Sequence, residues 1–129
     1  MSTPVQLPSD WEDRAKANNF ATPKEIVTAL NQDGTVVLDV RTDDEIAQGK
    51  LDNLTENVEW TKTGCSRTEC PALELDPSKF VKSKDTTVVV YCKSGARANR
   101  AKIVLEKHGY TNVLNGGGLS DMLLYPKLV

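Results

Sequence analysis

The segment from Cys92 to Arg97 combines a nucleophile with groups that stabilise negative charge. It reads Cys92-Lys93-Ser94-Gly95-Ala96-Arg97 and follows the apolar run at residues 86–91. The thiolate is the nucleophilic form of cysteine, and it is favoured by nearby cations and by the N–H groups of a helix N-terminus. Lys93 and Arg97 supply cations, and a helix is predicted to begin directly after Gly95. The segment therefore predicts a nucleophilic cysteine in a cradle that also suits an anionic substrate.

Two simpler explanations of this segment have to be weighed. Cysteine is often buried and chemically inert, and a strand end is a common place for it. The basic residues could equally cover a solvated helix face; they are Lys93, Arg97, Arg100, Lys102 and Lys107. A bulky apolar residue would serve packing better than Cys92 at such a strand end, and the residues beside it are polar. These two features favour the nucleophile.

The elements that position Cys92 alternate between strands and helices. Residues 35–40 and 86–91 are continuous β-branched and apolar runs, which is typical of strands buried on both faces of a parallel sheet. Capping boxes at Thr22 and Thr42 start two helices, residues 96–108 form a third, and residues 119–124 form a last helical turn or two. Residues 112–114 read as a short strand and residues 115–118 as a turn. Ligands of parallel sheets bind at the carboxyl ends of the strands, where Cys92 and Asp39-Val40-Arg41 are predicted to lie.

Length and composition limit the classes of function. The chain has 129 residues, which suits one domain, and we expect an extension with a short helix at residues 1–19 followed by a domain at residues 20–129. No apolar run is long enough to span a bilayer, and the N-terminus lacks the features of a secretory signal, so a cytoplasmic location is the default expectation. A net charge of −2 with 5% aromatic residues disfavours nucleic-acid binding.

The remaining cysteines, Cys65 and Cys70, fall in a predicted loop. Three cysteines in a reducing compartment argue against a disulfide scaffold, so we expect unpaired loop thiols, with a redox pair as the alternative. Their separation by four residues and the presence of a single histidine, His108, disfavour a zinc site. No metal is predicted.

Three elements together resemble the rhodanese-like sulfurtransferases. The segment Cys92–Arg97 resembles the six-residue active-site loop of that family. Asp39-Val40-Arg41, with Glu45 and Gly49, is similar to its Asp-Val-Arg-x-x-x-Glu-x-x-x-Gly element, and residues 115–118 resemble its C-terminal Gly-Gly turn. The three occur in the family's order and span about residues 22–124. Ile46, residues 50–54 and Met122 depart from the usual pattern, which leaves the donor specificity open.

The resemblance implies an α/β fold of three layers, with a central, mainly parallel sheet of about five strands flanked by helices. It implies that Cys92 takes a sulfane sulfur from thiosulfate or a similar small anionic donor and passes the sulfur from a persulfide to cyanide or a thiol. The substrate-binding residues would be Lys93, Ser94, Gly95, Ala96 and Arg97, with Arg41 as a second cation and Asp39 as structural support. No cofactor is implied, and a protein is a further candidate sulfur acceptor.

Other functions remain open at this point. A persulfide carrier or redox sensor would use Cys65 or Cys70 to resolve an oxidised Cys92. Phosphatases and arsenate reductases of the same fold use Cys-x5-Arg, whereas the spacing here is Cys-x4-Arg, which favours sulfur over phosphorus. A catalytically idle binding module usually lacks the cysteine that this chain has.

Overall fold

The two long apolar runs form the central strands of the sheet. In a computed structural model, which describes residues 5–129, they are β1 (Val36–Asp39) and β3 (Thr87–Cys92). The outer strands are β2 (Glu59–Lys62) and β4 (Asn112–Gly118), and all neighbouring strands are parallel in the order β2-β1-β3-β4. The predicted α/β class and parallel sheet are confirmed.

Six α-helices lie within the described residues. They are α1 (Trp11–Asn18), α2 (Pro23–Leu30), α3 (Asp43–Ala47), α4 (Pro71–Leu75), α5 (Ala96–Lys107) and α6 (Leu119–Leu128), with a short 3-10 helix at Pro77–Lys79. The capping boxes at Thr22 and Thr42 are both present, each with a glutamate three residues later. Helix α6 extends four residues beyond the predicted last turns.

Each face of the sheet has its own apolar cluster, because successive side chains of a strand point to opposite faces. Val88, Val90 and Cys92 of β3 pack with α4 and α5, whereas Val89 and Tyr91 pack with α2 and α6. The sulfur-bearing side chain of Cys92 therefore projects to the α5 side of the sheet. None of the helices within residues 5–129 combines the length and apolar character that a membrane crossing requires.

The sheet differs from the prediction at its β4 edge. Residues 5–129 contain four strands, whereas about five were expected, and Phe20 forms only an isolated parallel bridge to Asn115 beside β4. Residues 115–118 continue β4, so the predicted turn there is wrong. A Cβ atom on Gly118 would overlap the Lys93 carbonyl oxygen, and one on Gly116 would overlap Met122. These glycines thus permit close approach of neighbouring groups.

The prediction of unpaired loop thiols is also wrong, because Cys65 and Cys70 form a disulfide. Ser66 N–H donates to the Glu69 carbonyl at 2.7 Å, and Glu69 N–H donates to Ser66 Oγ at 2.9 Å. This tight turn brings the two Cα atoms to 4.4 Å, a separation that a disulfide accommodates. Cys92 is the free cysteine of the chain.

Candidate active site

Cys92 lies at the carboxyl end of β3 and is only 1% exposed. The backbone N–H of Gly95 donates a hydrogen bond to Cys92 Sγ at 3.0 Å. The chain turns within three residues and enters α5 at Ala96, so the sulfur faces the start of that helix. This arrangement places a free thiol against a backbone N–H donor, a contact that would stabilise its thiolate form.

Gly95 gives the loop its shape. Its φ angle of +108° belongs to the left-handed region that favours glycine, and a Cβ atom there would overlap the Phe20 ring. Asn115 Nδ2 donates to the Gly95 carbonyl at 3.0 Å and to the Asn18 carbonyl at 2.9 Å. The amide of Asn115, which is fully buried, therefore ties the loop to the chain segment before α2.

Arg97, in the first turn of α5, is paired with Glu45 of α3. Arg97 Nη1 and Nη2 donate to the two carboxylate oxygens of Glu45 at 2.7 and 2.9 Å. The hydrogen bonds from Arg97 lower the pKa of Glu45 to about 2, and in turn they raise the pKa of Arg97. The bidentate geometry fixes the plane of the guanidinium group. The remaining N–H groups of Arg97 are the ones that this pairing leaves for other contacts.

We expect replacement of Glu45 by glutamine to lower the free energy of unfolding at pH 6 and to have less effect towards pH 2. The native pKa of about 2 lies below the ordinary value of 4.5, so the carboxylate stabilises the fold above pH 4.5 and loses that contribution as the pH falls towards 2. Urea unfolding of both proteins at pH 6, 4 and 3 measures the difference. A difference that stays constant with pH would contradict this.

Arg41 and Asp39 form a second, more deeply buried pair. Arg41 Nε donates to Asp39 Oδ1 at 3.1 Å, Nη2 donates to Oδ2 at 2.8 Å, and the Arg41 backbone N–H donates to Oδ1 at 3.0 Å. Arg41 Nη2 also donates to the Gly49 carbonyl at 2.9 Å, and the guanidinium carbon lies 5.6 Å from the centre of the Tyr91 ring. Asp39 thus orients Arg41 beside the end of β3.

A pocket of about 280 Å³ opens next to these groups. It is lined by Arg41, Glu45, Gln48, Gly49, Lys93, Leu119 and Ser120. Lys93 directly follows Cys92 and is exposed. Among residues 5–129 it makes no ion pair, whereas Arg41 and Arg97 each face a carboxylate. The pocket therefore carries one cation whose charge is not balanced by a neighbouring acid.

The structure thus brings the predicted site residues to one edge of the sheet. Lys93 of the Cys92–Arg97 loop, Arg41 and Glu45 line the pocket, while Asp39 pairs with Arg41 and Arg97 pairs with Glu45. Three further residues contact the loop, namely Arg14, Phe20 and Asn115, and Asp121 holds Arg14. Asn115 belongs to the Asn-Gly-Gly-Gly segment, whereas no local feature of the sequence marks the other three. In the part of the chain described, no group of three or more His, Cys, Asp or Glu side chains is placed to hold a metal ion.

Comparison with known proteins identifies the family of this chain. The family model described as "Rhodanese-like domain" matches residues 22–121. The thiosulfate sulfurtransferase PspE of Escherichia coli is 46% identical over 48 residues, covering 37% of this chain and 45% of that protein. A sulfurtransferase of Allochromatium vinosum is 33% identical over 81 residues, covering 62% of this chain and 63% of that protein. The chain therefore spans less than two thirds of either curated relative.

A solved structure extends the likeness to the fold. The polysulfide-sulfur transferase homodimer of Wolinella succinogenes is 26% identical, with a TM-score of 0.58, over 87% of this chain and 80% of that chain. The matched family segment includes both central strands, the Asp39–Arg41 pair, Glu45 and the whole Cys92–Arg97 loop. On these grounds the chain belongs to the rhodanese-like domain family.

Proposed function

We propose that this chain is a sulfurtransferase that moves a sulfane sulfur from thiosulfate, or a similar anionic donor, to cyanide or a thiol through a persulfide on Cys92. The observation that carries the proposal is the free Cys92 thiol, which accepts a hydrogen bond from the Gly95 N–H at 3.0 Å and directly precedes Lys93, a cation that lines a small pocket. The names of the three relatives described above each include sulfur transfer and support the same chemistry.

The proposed reaction has two displacement steps. The Cys92 thiolate attacks the outer sulfur of thiosulfate, the S–S bond of the donor breaks, and its electron pair leaves with sulfite. Cyanide then attacks the outer sulfur of the persulfide, the new S–S bond breaks, and Cys92 leaves as a thiolate while thiocyanate is released. Both steps conserve electrons without an external oxidant, and the backbone N–H groups of the loop stabilise the negative sulfur in each.

No histidine acts as a base in this scheme. His108 is the C-cap of α5 and lies 3.3 Å from Glu74 Oε2, at the opposite end of the helix from the Cys92 loop. A helix of 12 residues is about 18 Å long at a rise of about 1.5 Å per residue. Sulfur transfer needs no such base, because the attacking group is a thiolate and both leaving groups depart as anions without taking up a proton.

The disulfide bears on the alternative redox function. With Cys65 and Cys70 bonded to each other, neither is a free thiol that could resolve an oxidised Cys92 in this state of the molecule. This favours transfer to an external acceptor over an internal resolving reaction. A protein as that acceptor and a cytoplasmic location stay predictions.

The test of the proposal measures sulfur on Cys92 directly. The purified chain, kept without reductant, is incubated with thiosulfate, and the intact mass is recorded before and after addition of cyanide. We expect a gain of one sulfur atom that cyanide removes as thiocyanate, and no gain in Cys92→Ser. Absence of both the mass gain and thiocyanate in a folded protein would overturn the proposal, as would equal loading of Cys92→Ser.

Lys93 is proposed to attract the donor into the pocket. We expect Lys93→Gln to raise the KM for thiosulfate about fivefold with little change in kcat, because an exposed cation is worth roughly 1 kcal/mol to a bound anion. The dependence of KM on ionic strength should weaken in the same variant. Lys107→Gln, which removes the same charge from the far end of α5, is the matched control and should leave the KM unchanged. An unaltered KM in Lys93→Gln would contradict the assignment.

A further inference from the structure

The peptide group between Ser94 and Gly95 is held from both sides. Its N–H, which belongs to Gly95, donates to Cys92 Sγ at 3.0 Å. Its carbonyl oxygen, which belongs to Ser94, accepts a hydrogen bond from Arg14 Nη1 at 3.0 Å. Arg14 lies in α1, 80 residues away in the sequence. One peptide group therefore links an arginine on the N-terminal helix to the free thiol.

The geometry of a peptide group couples these two contacts. A peptide is planar, and its N–H and C=O point in opposite directions when the bond is trans, as it is between Ser94 and Gly95. A donor that fixes the direction of the carbonyl oxygen therefore also fixes the direction of the N–H. Without such a donor the plane can flip, because glycine is permissive about its backbone angles. A flipped peptide would aim the partially negative Ser94 oxygen at the sulfur.

Arg14 is itself held rigidly. Its Nη1 and Nη2 atoms donate to Asp121 Oδ2 and Oδ1 at 2.7 and 3.0 Å, and Asp121 is 1% exposed. Asp121 Oδ2 also accepts the Gly118 N–H at 2.8 Å, so the carboxylate is anchored to the start of α6. The hydrogen bonds that Arg14 donates to Asp121 raise the pKa of Arg14. The positive charge of Arg14 is therefore held in one position against the Ser94 carbonyl.

We propose that Arg14 is a positioning residue, which orients the Ser94–Gly95 peptide so that its N–H stabilises negative charge on Cys92. The cationic contact to the carbonyl also polarises the peptide and makes its N–H a stronger donor. Asp121 acts through Arg14 by holding the guanidinium in place. This inference rests on the proposed function for its consequence in sulfur transfer, while the orientation of the peptide concerns the thiol alone. Arg14 precedes the segment that the family model matches, at residues 22–121.

The test uses a neutral reagent that reports on Cys92 without any sulfur donor. Iodoacetamide alkylates thiolates, and Cys92 is the free cysteine when reductant is omitted. At one fixed pH, we expect Arg14→Gln to be alkylated about tenfold more slowly than the wild type, which is less than the 100- to 1,000-fold loss seen when an oxyanion donor is removed outright. Arg14→Lys should give an intermediate rate, because an ammonium group can reach the carbonyl but cannot bind Asp121 in the bidentate manner.

The kinetics of sulfur transfer distinguish a positioning role of Arg14 from a merely structural one. In Arg14→Gln we expect kcat to fall about tenfold while the KM for thiosulfate changes less than twofold, because Arg14 lies behind the loop and not among the pocket-lining residues. Lys16→Gln removes an exposed charge from the same helix and is the matched control, with wild-type rates expected. Circular dichroism and urea unfolding establish that each variant is folded.

The results of these experiments distinguish a failure of the positioning role from a failure of the proposed function. Wild-type alkylation of folded Arg14→Gln would overturn the positioning role, whatever the transfer activity. Slower alkylation in Arg14→Gln together with no sulfur loading in the wild type would support the positioning role and overturn the proposed function. If Arg14→Gln does not fold, Asp121→Asn decides, because it weakens the anchor and retains the arginine. A folded Asp121→Asn protein with the wild-type alkylation rate would overturn the inference.

Discussion

Replacement of Gly95 by alanine is expected to slow the loading of sulfur onto Cys92 by about 100-fold or more. The added Cβ atom would overlap the Phe20 ring, and the φ angle of +108° is one that alanine adopts only at a cost of roughly 1–2 kcal/mol. The loop can relieve both problems only by moving the backbone. That movement takes the Gly95 N–H away from Cys92 Sγ, which it now meets at 3.0 Å.

Gly34 offers the matched control for this change. Its φ angle is +83°, but a Cβ atom there would find no atom within 4 Å. We expect Gly34→Ala to lower the free energy of unfolding by roughly 1–2 kcal/mol and to leave sulfur loading unchanged. The loading rate comes from intact-mass measurements over time. A Gly95→Ala protein that loads sulfur at the rate of Gly34→Ala would show that the loop geometry is not needed.

The double variant Phe20→Ala with Gly95→Ala separates the two causes. It removes the overlap with the ring but retains the positive φ angle. Partial recovery of the loading rate would assign the loss mainly to the overlap, whereas no recovery would assign it to the backbone. Phe20→Ala alone supplies the reference for lost packing.

The second large effect concerns stability. We expect Asp39→Ala to lower the free energy of unfolding by about 3–5 kcal/mol, because it leaves the Arg41 guanidinium buried without its partner. Asp39 is 0% exposed and Arg41 is 6% exposed. The same change removes the acceptor of the Arg41 backbone N–H. Typical domains are stable by about 5–15 kcal/mol in total, so urea unfolding will resolve the change easily.

A surface pair in the same region provides the control. Lys62 Nζ lies 2.7 Å from Asp43 Oδ1, but these side chains are 51% and 84% exposed. We expect Asp43→Ala to cost at most about 1 kcal/mol, since solvent already screens such a pair. Adding Arg41→Met to Asp39→Ala should restore part of the lost stability by removing the orphaned charge. Equal losses in Asp39→Ala and Asp43→Ala would show that burial does not govern the pair.

Some elements of this chain can be predicted from the sequence and others cannot. β1 and β3 could be predicted because strands buried on both faces consist of consecutive, mostly apolar residues, and such a run is visible in the local sequence. The same holds for the capping boxes at Thr22 and Thr42. The glycines of residues 115–118 predict a turn, but in the fold they lie in β4, where they allow neighbouring groups to come close. Glycine is favoured in both situations. Nothing in the local sequence distinguishes the two uses.

The candidate site shows the same division. Cys92, Lys93 and Arg97 stand in one short segment and could be identified from it. The partner of Arg97, Glu45, is 52 residues away, and only the fold shows that the two meet. The disulfide between Cys65 and Cys70 depends on a turn whose hydrogen bonds involve Ser66 and Glu69. The contact between Arg97 and Glu45 follows from tertiary packing and the disulfide from a local turn, and neither leaves a periodic signal in the sequence.

The ion pair between Arg14 and Asp121 has a consequence for the order in which the molecule is assembled. These residues are 107 positions apart in the sequence, and the arginine that Asp121 holds also contacts the Cys92 loop. A chain that is synthesised from its N-terminus incorporates Arg14 and Cys92 before Asp121. Arg14 can therefore be held by its carboxylate partner, and the Ser94–Gly95 peptide fully supported, only after the start of α6 has been synthesised.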